Sequence, residues 1–159
     1  MSPSPTILVV DDETSILTVC HALLEQAGFT VLETDGSSEA LKICAQHEGP
    51  VDILITALTL APPAFQIASS TNQFPHVNGY ELAVRAAAIR PGLRVILMSR
   101  NPDKELASHG ISRTTLPVLA KPFDQDTLAC LVQEVLAQPA PTLDPSSHGN
   151  AANDAEWFG

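Results

Sequence analysis

Acidic, hydroxyl and basic side chains follow the apolar segments of this chain, where they could bind a metal ion or an anion. Asp11 and Asp12 come directly after the first apolar run, and two adjacent carboxylates offer the hard oxygen ligands that Mg²⁺ accepts. Ser99 and Lys121 end two later apolar runs, and together they could hold an anionic oxygen group. Pro122 fixes the backbone directly after Lys121.

Each of these features has a simpler interpretation when it is taken alone. An Asp pair after a strand can cap the following helix, and a single Ser is common in turns. The four features become informative because they occur in order, each at the end of an apolar run. Whether they form one site therefore depends on the strands and helices that position them.

Five short apolar runs alternate with five segments of helical periodicity. The predicted strands are 7–10, 29–34, 51–58, 93–99 and 116–120, and the predicted helices are 14–27, 37–47, 78–89, 101–110 and 124–136. The predicted helix caps are Ser37 or Ser38, Asn101 and Asp124. Continuous apolar strands that alternate with helices form a parallel sheet covered on both faces. Functional residues of such sheets lie at the carboxyl ends of the strands, so the features above should meet at one edge.

The composition excludes several classes of protein. The chain has 159 residues, with 18 acidic and 8 basic side chains and a formal net charge of −10. This acidity argues against nucleic-acid and anionic-membrane partners, which need clustered basic residues. The apolar runs are too short to span a membrane, so we expect a cytoplasmic protein. Cys20, Cys44 and Cys130 lie in apolar surroundings without metal-type spacing, which predicts free, buried thiols.

The chain divides into one predicted domain and two flanking segments. Residues 1–5 are a Pro/Ser lead, residues 6–137 form the domain, and residues 138–159 are predicted to be a disordered acidic tail. The domain contains a long uncharged loop at 59–77, which could cover the site, present a partner surface, or be a surface insertion. The tail is too short for a further module, so we expect no attached output domain.

Five sequence stretches resemble the receiver domain of bacterial two-component response regulators. These stretches are Ile7-Leu-Val-Val-Asp-Asp-Glu13, Val51-Asp-Ile-Leu-Ile-Thr56, Asn78-Gly-Tyr-Glu-Leu82, Arg94-Val-Ile-Leu-Met-Ser99 and Ala120-Lys-Pro-Phe123. The resemblance implies a flavodoxin-like (βα)5 fold with strand order 2-1-3-4-5. It implies that Asp11 and Asp12 bind Mg²⁺. It also implies that Ser99 and Lys121 contact a phosphoryl group, which a histidine kinase transfers to an Asp at the end of strand 3.

The chain departs from the family at that phosphoacceptor position. The acceptor of the family lies five residues after the first Asp of the strand, which here is Asp52, and this position is Ala57. From residue 53 to residue 102 the only acid is Glu81. Because a methyl group neither accepts a phosphoryl group nor binds a metal, we expect no aspartyl phosphorylation and a weakened or absent Mg²⁺ site. The switch position of the family, often aromatic, is Val118.

Three functional hypotheses follow from these residues. The first is an atypical receiver, or pseudo-receiver, that contacts a histidine kinase or a downstream effector through the helix 4–strand 5–helix 5 surface. That surface carries Arg100, Lys104 and Arg113, and it could also form a homodimer. The second is an ordinary Mg²⁺-dependent phosphoacceptor in which Ala57 is an engineered substitution for Asp. The third, a flavodoxin-type hydrolase or transferase, lacks a Gly-rich phosphate loop and a nucleophile–His–acid arrangement, so we predict that the chain is not an enzyme.

Overall fold

Strands and helices alternate along the whole described part of the chain. The computed structural model describes residues 4–60, 77–110 and 116–138. The strands are β1 (Thr6–Val10), β2 (Thr30–Thr34), β3 (Ile53–Ala57), β4 (Arg94–Ser99) and β5 (Val118–Ala120). The helices are α1 (Thr14–Gln26), α2 (Ser37–Gln46), α3 (Gly79–Ile89), α4 (Pro102–Ser108) and α5 (Gln125–Ala137). Every predicted element is present, with shorter bounds for several of them.

The five strands form one parallel sheet in the order β2-β1-β3-β4-β5. This confirms the predicted flavodoxin-like (βα)5 fold. The register places Val10 beside Thr56, and Ser99 beside Ala120. The carboxyl ends of β1, β3, β4 and β5 therefore meet at one edge of the sheet, as the topology requires.

Two apolar layers cover the sheet, one on each face. Leu8 and Leu54 point into the layer built with α2 and α3, whereas Ile7 and Ile55 point into the layer built with α1 and α5. All five residues of β1 and all five of β3 are buried. Burial on both faces explains why these strands are continuous apolar runs instead of alternating ones.

The helix caps agree only in part with the sequence. Asp124 accepts a hydrogen bond from the Thr127 backbone N–H at 2.8 Å, as predicted. The prediction for α2 was wrong, because Gly36 is its N-cap residue and Ser37 is the first helical residue. The Ser37 hydroxyl oxygen instead accepts a hydrogen bond from the Val77 N–H at 2.8 Å. Asn101 precedes α4 as predicted, but its side chain makes no capping hydrogen bond.

Arg90 connects the end of α3 to the end of α2. Its guanidinium donates hydrogen bonds to the carbonyl oxygens of Cys44, His47 and Gly49 at 2.8, 2.6 and 2.8 Å. The last carbonyl groups of a helix have no partner inside the helix. Arg90 therefore satisfies carbonyl groups at the end of α2 and just beyond it, and fixes the two helices relative to each other.

The cysteine prediction was correct for two of the three thiols. Cys20 and Cys44 are buried, and burial raises the pKa of Cys20 to about 12 and that of Cys44 to about 11. Cys130 is exposed on α5, because the apolar face of this helix buries Leu128, Val132 and Val135 instead. The prediction that all three thiols are buried was therefore wrong at this position.

Several sequence predictions lie outside the described residues. They concern most of the loop 59–77, almost all of the tail 138–159, the lead 1–3, and Arg113. These stay predictions. None of the described helices is both long and apolar enough to cross a membrane.

Candidate functional site

Lys121 forms a buried ion pair with Asp11 at the carboxyl edge of the sheet. Lys121 Nζ lies 2.7 Å from Asp11 Oδ2, and Asp11 is completely inaccessible to solvent. The other carboxylate oxygen, Oδ1, accepts a hydrogen bond from the Glu13 N–H at 2.9 Å. Burial raises the pKa of Asp11 above its ordinary value, and Lys121 opposes this rise.

Glu13 links the same lysine to an arginine on the far side of the site. Its Oε2 lies 3.5 Å from Lys121 Nζ, and its Oε1 accepts a short hydrogen bond from Arg100. The hydrogen bond from Arg100 is the main cause that holds the pKa of Glu13 below its ordinary value. Glu13 therefore stays ionised between two cations at neutral pH.

Ala57 ends β3 in a tightly packed position. It is 2% exposed, and a β-carbon added to Gly79 would lie 1.9 Å from the Ala57 carbonyl oxygen. The Gly79 N–H donates to the Leu58 carbonyl at 2.9 Å, and the Leu58 N–H donates to that of Met98 at 2.9 Å. Only glycine fits at the start of α3, because the backbone that follows β3 passes directly against it.

Ser99 contacts a carboxylate that comes from α4. Its hydroxyl donates a short hydrogen bond to Glu105 and accepts one from the Asn101 N–H at 3.1 Å. Burial acts to raise the pKa of Glu105, but hydrogen bonds from Ser99 and Thr59, together with nearby positive charge, hold that pKa below the ordinary value. Thr59 Oγ1 also lies 3.0 Å from His109 Nε2. A polar network therefore joins the ends of β3 and β4 to α4.

A cavity of about 260 Å³ lies among these side chains. Its lining residues are Asp12, Glu13, Ala57, Thr59, Met98, Arg100, Asn101, Glu105 and Lys121. Of the predicted site residues, Asp12, Ala57 and Lys121 line the cavity directly. Asp11 and Ser99 lie behind this lining. Asp11 forms an ion pair with the lining residue Lys121, and Ser99 donates a hydrogen bond to the lining residue Glu105.

Two residues singled out in the sequence lie elsewhere. Pro122 follows Lys121 through a cis peptide bond. Its side chain and that of Val118 line a separate groove between β5 and α5. Pro122 and Val118 therefore do not line the polar cavity.

Known proteins resemble this chain in fold and in part of its sequence. The chain is 32% identical over 137 residues to the DNA-binding transcriptional regulator NtrC of Bradyrhizobium sp., covering 86% of this chain and 25% of the regulator. It superposes on the signal receiver domain of an HD domain-containing protein from Pseudomonas fluorescens with a TM-score of 0.67 and 26% identity. That superposition covers 86% of this chain and 90% of the other.

A second solved structure has the same fold. The response regulator receiver protein from Sinorhizobium medicae superposes with a TM-score of 0.66 and 25% identity, covering 84% of this chain and 95% of that protein. The chain contains a CheY-like receiver domain. No family model matches the sequence. The chain spans about a quarter of the length of the first curated relatives that it matches.

The receiver domain retains oxygen ligands suited to a divalent cation. Carboxylate oxygens of Asp11, Asp12 and Glu13 all lie within 4.8 Å of one another, and hard cations such as Mg²⁺ prefer such a set. Asp11, Asp12 and Glu13 could therefore hold Mg²⁺, which would bring positive charge to the cavity. The side chain of Ala57 supplies no ligand atom, and Lys121 already neutralises Asp11, so these residues fit the ion only in part.

Sequence reasoning missed two side chains of the receiver domain's site. Glu13 was visible as the third acid after β1, but only the structure places it between Lys121 and Arg100. Glu105 lies in the helix that follows β4, at the edge where functional residues were expected. Its contact with Ser99 depends on how α4 packs, and no residue spacing reveals that packing.

Proposed function

We propose that this receiver domain is a pseudo-receiver, which takes part in two-component signalling by protein–protein contact and without aspartyl phosphorylation. The proposal assigns it no catalytic activity. The proteins that it resembles include a response regulator and a response regulator receiver protein, which supports a place in two-component signalling. The proposed mechanism differs from that of ordinary receivers because Ala57 stands at the phosphoacceptor position.

The observation that carries the proposal is the position of Ala57. It ends β3 in the wall of the cavity that Asp12 and Lys121 also line. A phosphoryl group delivered to this cavity would meet a methyl group where the family has a carboxylate. The ammonium group of Lys121, which the resemblance assigns to a phosphoryl oxygen, contacts Asp11 at 2.7 Å instead.

The proposed partners are a histidine kinase or a downstream effector, which contact the surface formed by α4, β5 and α5. A homodimer through this surface is a variant of the same proposal. Nucleic acid and membrane are not proposed partners, because the net charge of −10 repels both. We place the protein in the cytoplasm as part of this proposal.

An alternative is favoured by the residues that surround Ala57. Asp11, Asp12, Ser99 and Lys121 all remain at the edge of the cavity, as they would in a working phosphoacceptor. The native protein would then carry Asp at position 57 and depend on Mg²⁺. Sequencing codon 57 of the source gene decides between the two, since an Asp codon supports the alternative.

Incubation with acetyl phosphate and Mg²⁺ tests the proposal directly. The chain and its variants Ala57→Asp and Ala57→Asn are followed by intact-mass spectrometry. We expect one hydroxylamine-sensitive phosphoryl group on Ala57→Asp only, because Asn matches the shape of Asp without its nucleophilic oxygen. A hydroxylamine-sensitive phosphoryl group on the unaltered chain would refute the pseudo-receiver.

A further inference from the structure

A groove separate from the polar cavity runs between β5 and α5. Its volume is about 680 Å³, within the range of clefts that bind small ligands. Apolar side chains form part of its lining, and acidic side chains lie among them. These residues are Val118, Phe123 and Leu131, and Asp124, Asp126 and Glu134. No described residue that lines the groove is Lys, Arg or His.

The charge of this groove differs from what the sequence suggested for the surface. Arg100 and Lys104 gave the predicted α4–β5–α5 surface a basic character, but they lie before β5, in the loop and in α4. Arg100 is moreover paired with Glu13. The α5 side of the surface instead carries Asp124, Asp126 and Glu134. The proposed partner surface therefore has an acidic side, which the basic residues named from the sequence did not reveal.

We propose that this groove binds an apolar, positively charged segment of a partner protein. The inference rests on the proposed function, since it names the chemistry of the protein–protein contact proposed there. Burying the partner's apolar side chains against Val118, Phe123 and Leu131 supplies affinity. The acidic side chains select for Lys and Arg and speed up encounter, because complementary charge mainly governs specificity and association rate.

Charge also disfavours one competing occupant, the C-terminal segment of the chain itself. Residues 139–159 of the chain contain three acids and no Lys or Arg. Such a segment would bring like charge to Asp126 and Glu134, and that repulsion disfavours binding. An external cationic segment has no such penalty.

Cys130 makes occupancy of the groove measurable in the unaltered chain. It is exposed and lines the groove, whereas Cys20 and Cys44 are buried with pKa values of about 12 and 11. Because thiolates are the reactive form, iodoacetamide should alkylate Cys130 first. Its alkylation rate therefore reports whether a segment covers the groove.

The probes are two synthetic 14-residue amphipathic peptides, one of Leu and Lys and the other of Leu and Glu in the same positions. Alkylation of Cys130 is followed by intact mass at physiological ionic strength, without a phosphoryl donor. We expect the Leu/Lys peptide to slow alkylation at least fivefold at saturation, and the Leu/Glu peptide to leave the rate unchanged. Equal effects of the two peptides, or no effect of either, would overturn the proposal.

Charge-reversal variants distinguish the groove from general attraction to an acidic protein. Asp126→Lys/Glu134→Lys should weaken the Leu/Lys peptide at least tenfold in Kd. Glu39→Lys/Glu48→Lys is the matched control, because it changes the total charge equally at two exposed acids of α2 and the turn after it. This control should leave Kd within about twofold. Equal losses in both variants would mean that binding is unspecific, and the inference would fail.

The free chain gives a last test. If Cys130 already reacts more than tenfold slower in the free chain than in urea, the groove is covered by the chain itself or by a second copy. Dependence of that rate on protein concentration identifies the second copy, and either result refutes an external occupant. The acetyl phosphate experiment tests the proposed function separately. A chain that accepts a phosphoryl group could still bind the Leu/Lys peptide, and a chain that accepts none could fail to bind it.

Discussion

Lys121 Nζ lies 2.7 Å from Asp11 Oδ2, and both side chains are removed from solvent. Neither charge is easily buried alone, because desolvation of an unpaired ion costs several kcal/mol. The contact therefore has a structural role in addition to any signalling role. Lys121 also opposes the rise in the pKa of Asp11 that burial causes.

Removing the lysine should destabilise the fold. Lys121→Met leaves Asp11 buried without its cation, which we expect to cost about 3 kcal/mol of unfolding free energy at pH 7. Because the pKa of Asp11 then rises further, protonation relieves the penalty as pH falls through that pKa. Urea unfolding at pH 7 and pH 5 measures both effects, and the loss should be smaller at pH 5.

Lys42→Met is the control for this experiment, because Lys42 is an exposed lysine of α2 and should change stability by less than about 0.5 kcal/mol. The double variant Asp11→Asn/Lys121→Met should recover part of the loss, since it removes the buried charge. A Lys121→Met variant as stable as Lys42→Met would contradict the buried ion pair.

Mg²⁺ should bind weakly, because the side chain of Ala57 supplies no ligand and Lys121 competes for Asp11. We expect a Kd on the order of millimolar or weaker, and an increase in affinity of about tenfold in Ala57→Asp, which adds a carboxylate. Chemical shifts of the Asp12 and Glu13 amides during a Mg²⁺ titration provide the measurement. Sub-millimolar binding by the unaltered chain would argue against a weakened site.

Ala57→Asn is the control, because it adds an uncharged oxygen ligand at the same position. It should strengthen Mg²⁺ binding less than Ala57→Asp does. Equal gains in the two variants would mean that the missing negative charge is not what weakens the site.

Glu105 should make stability depend on pH through its contact with Ser99. Although burial opposes them, hydrogen bonds help to hold its folded-state pKa below the ordinary value of about 4.5. The unfolded state therefore binds more protons in the window below that value, and stability is lost as pH falls through it. Thermal unfolding between pH 3 and pH 6 should show a shallower slope for Glu105→Gln than for the unaltered chain.

The carboxyl carbon shift of Glu105, followed by NMR titration, gives the pKa directly. Ser99→Ala removes the hydroxyl donor and should raise that pKa toward the ordinary value. If Ser99→Ala leaves the titration of Glu105 unchanged, the hydrogen bond does not stabilise the carboxylate.

Gly79→Ala should be strongly destabilising, because the new β-carbon would lie 1.9 Å from the Ala57 carbonyl oxygen. Either α3 or the end of β3 must move, at a cost of about 3 kcal/mol or more. Gly36→Ala is the control, since no atom lies within 4 Å of its added β-carbon. Chemical denaturation of the two variants compares them, and similar stabilities would refute the close approach.

Arg90 should contribute far more to stability than its neighbour Arg85. It satisfies three carbonyl groups at and after the end of α2, so Arg90→Ala should cost about 2–3 kcal/mol. Arg85 makes an exposed pair with Glu81 one turn away, and Arg85→Ala should cost about 0.5 kcal/mol or less. Urea unfolding separates the two, and equal losses would contradict the bridging role.

The sequence by itself determined the fold and the edge where the site lies. Continuous apolar runs such as those of β1 and β3 are buried on both faces, and their alternation with helices allows few topologies. Strand order alone therefore places Asp11, Asp12, Ser99 and Lys121 at one edge of the sheet. The sequence also shows that Ala57 stands where the family has an acidic residue. These features are local in the chain or follow from strand order.

Only the tertiary structure decided which side chains contact one another. The pairing of Lys121 with Asp11 depends on the distance between the ends of β5 and β1. The contact of Glu105 with Ser99 and the exposure of Cys130 depend on how α4 and α5 pack against the sheet. The acidic side of the β5–α5 groove likewise appears only when Asp126 and Glu134 are brought beside Val118. Sequence patterns fix which face of an element is apolar, but the contacts of polar side chains depend on distances of a few ångströms between elements far apart in the chain.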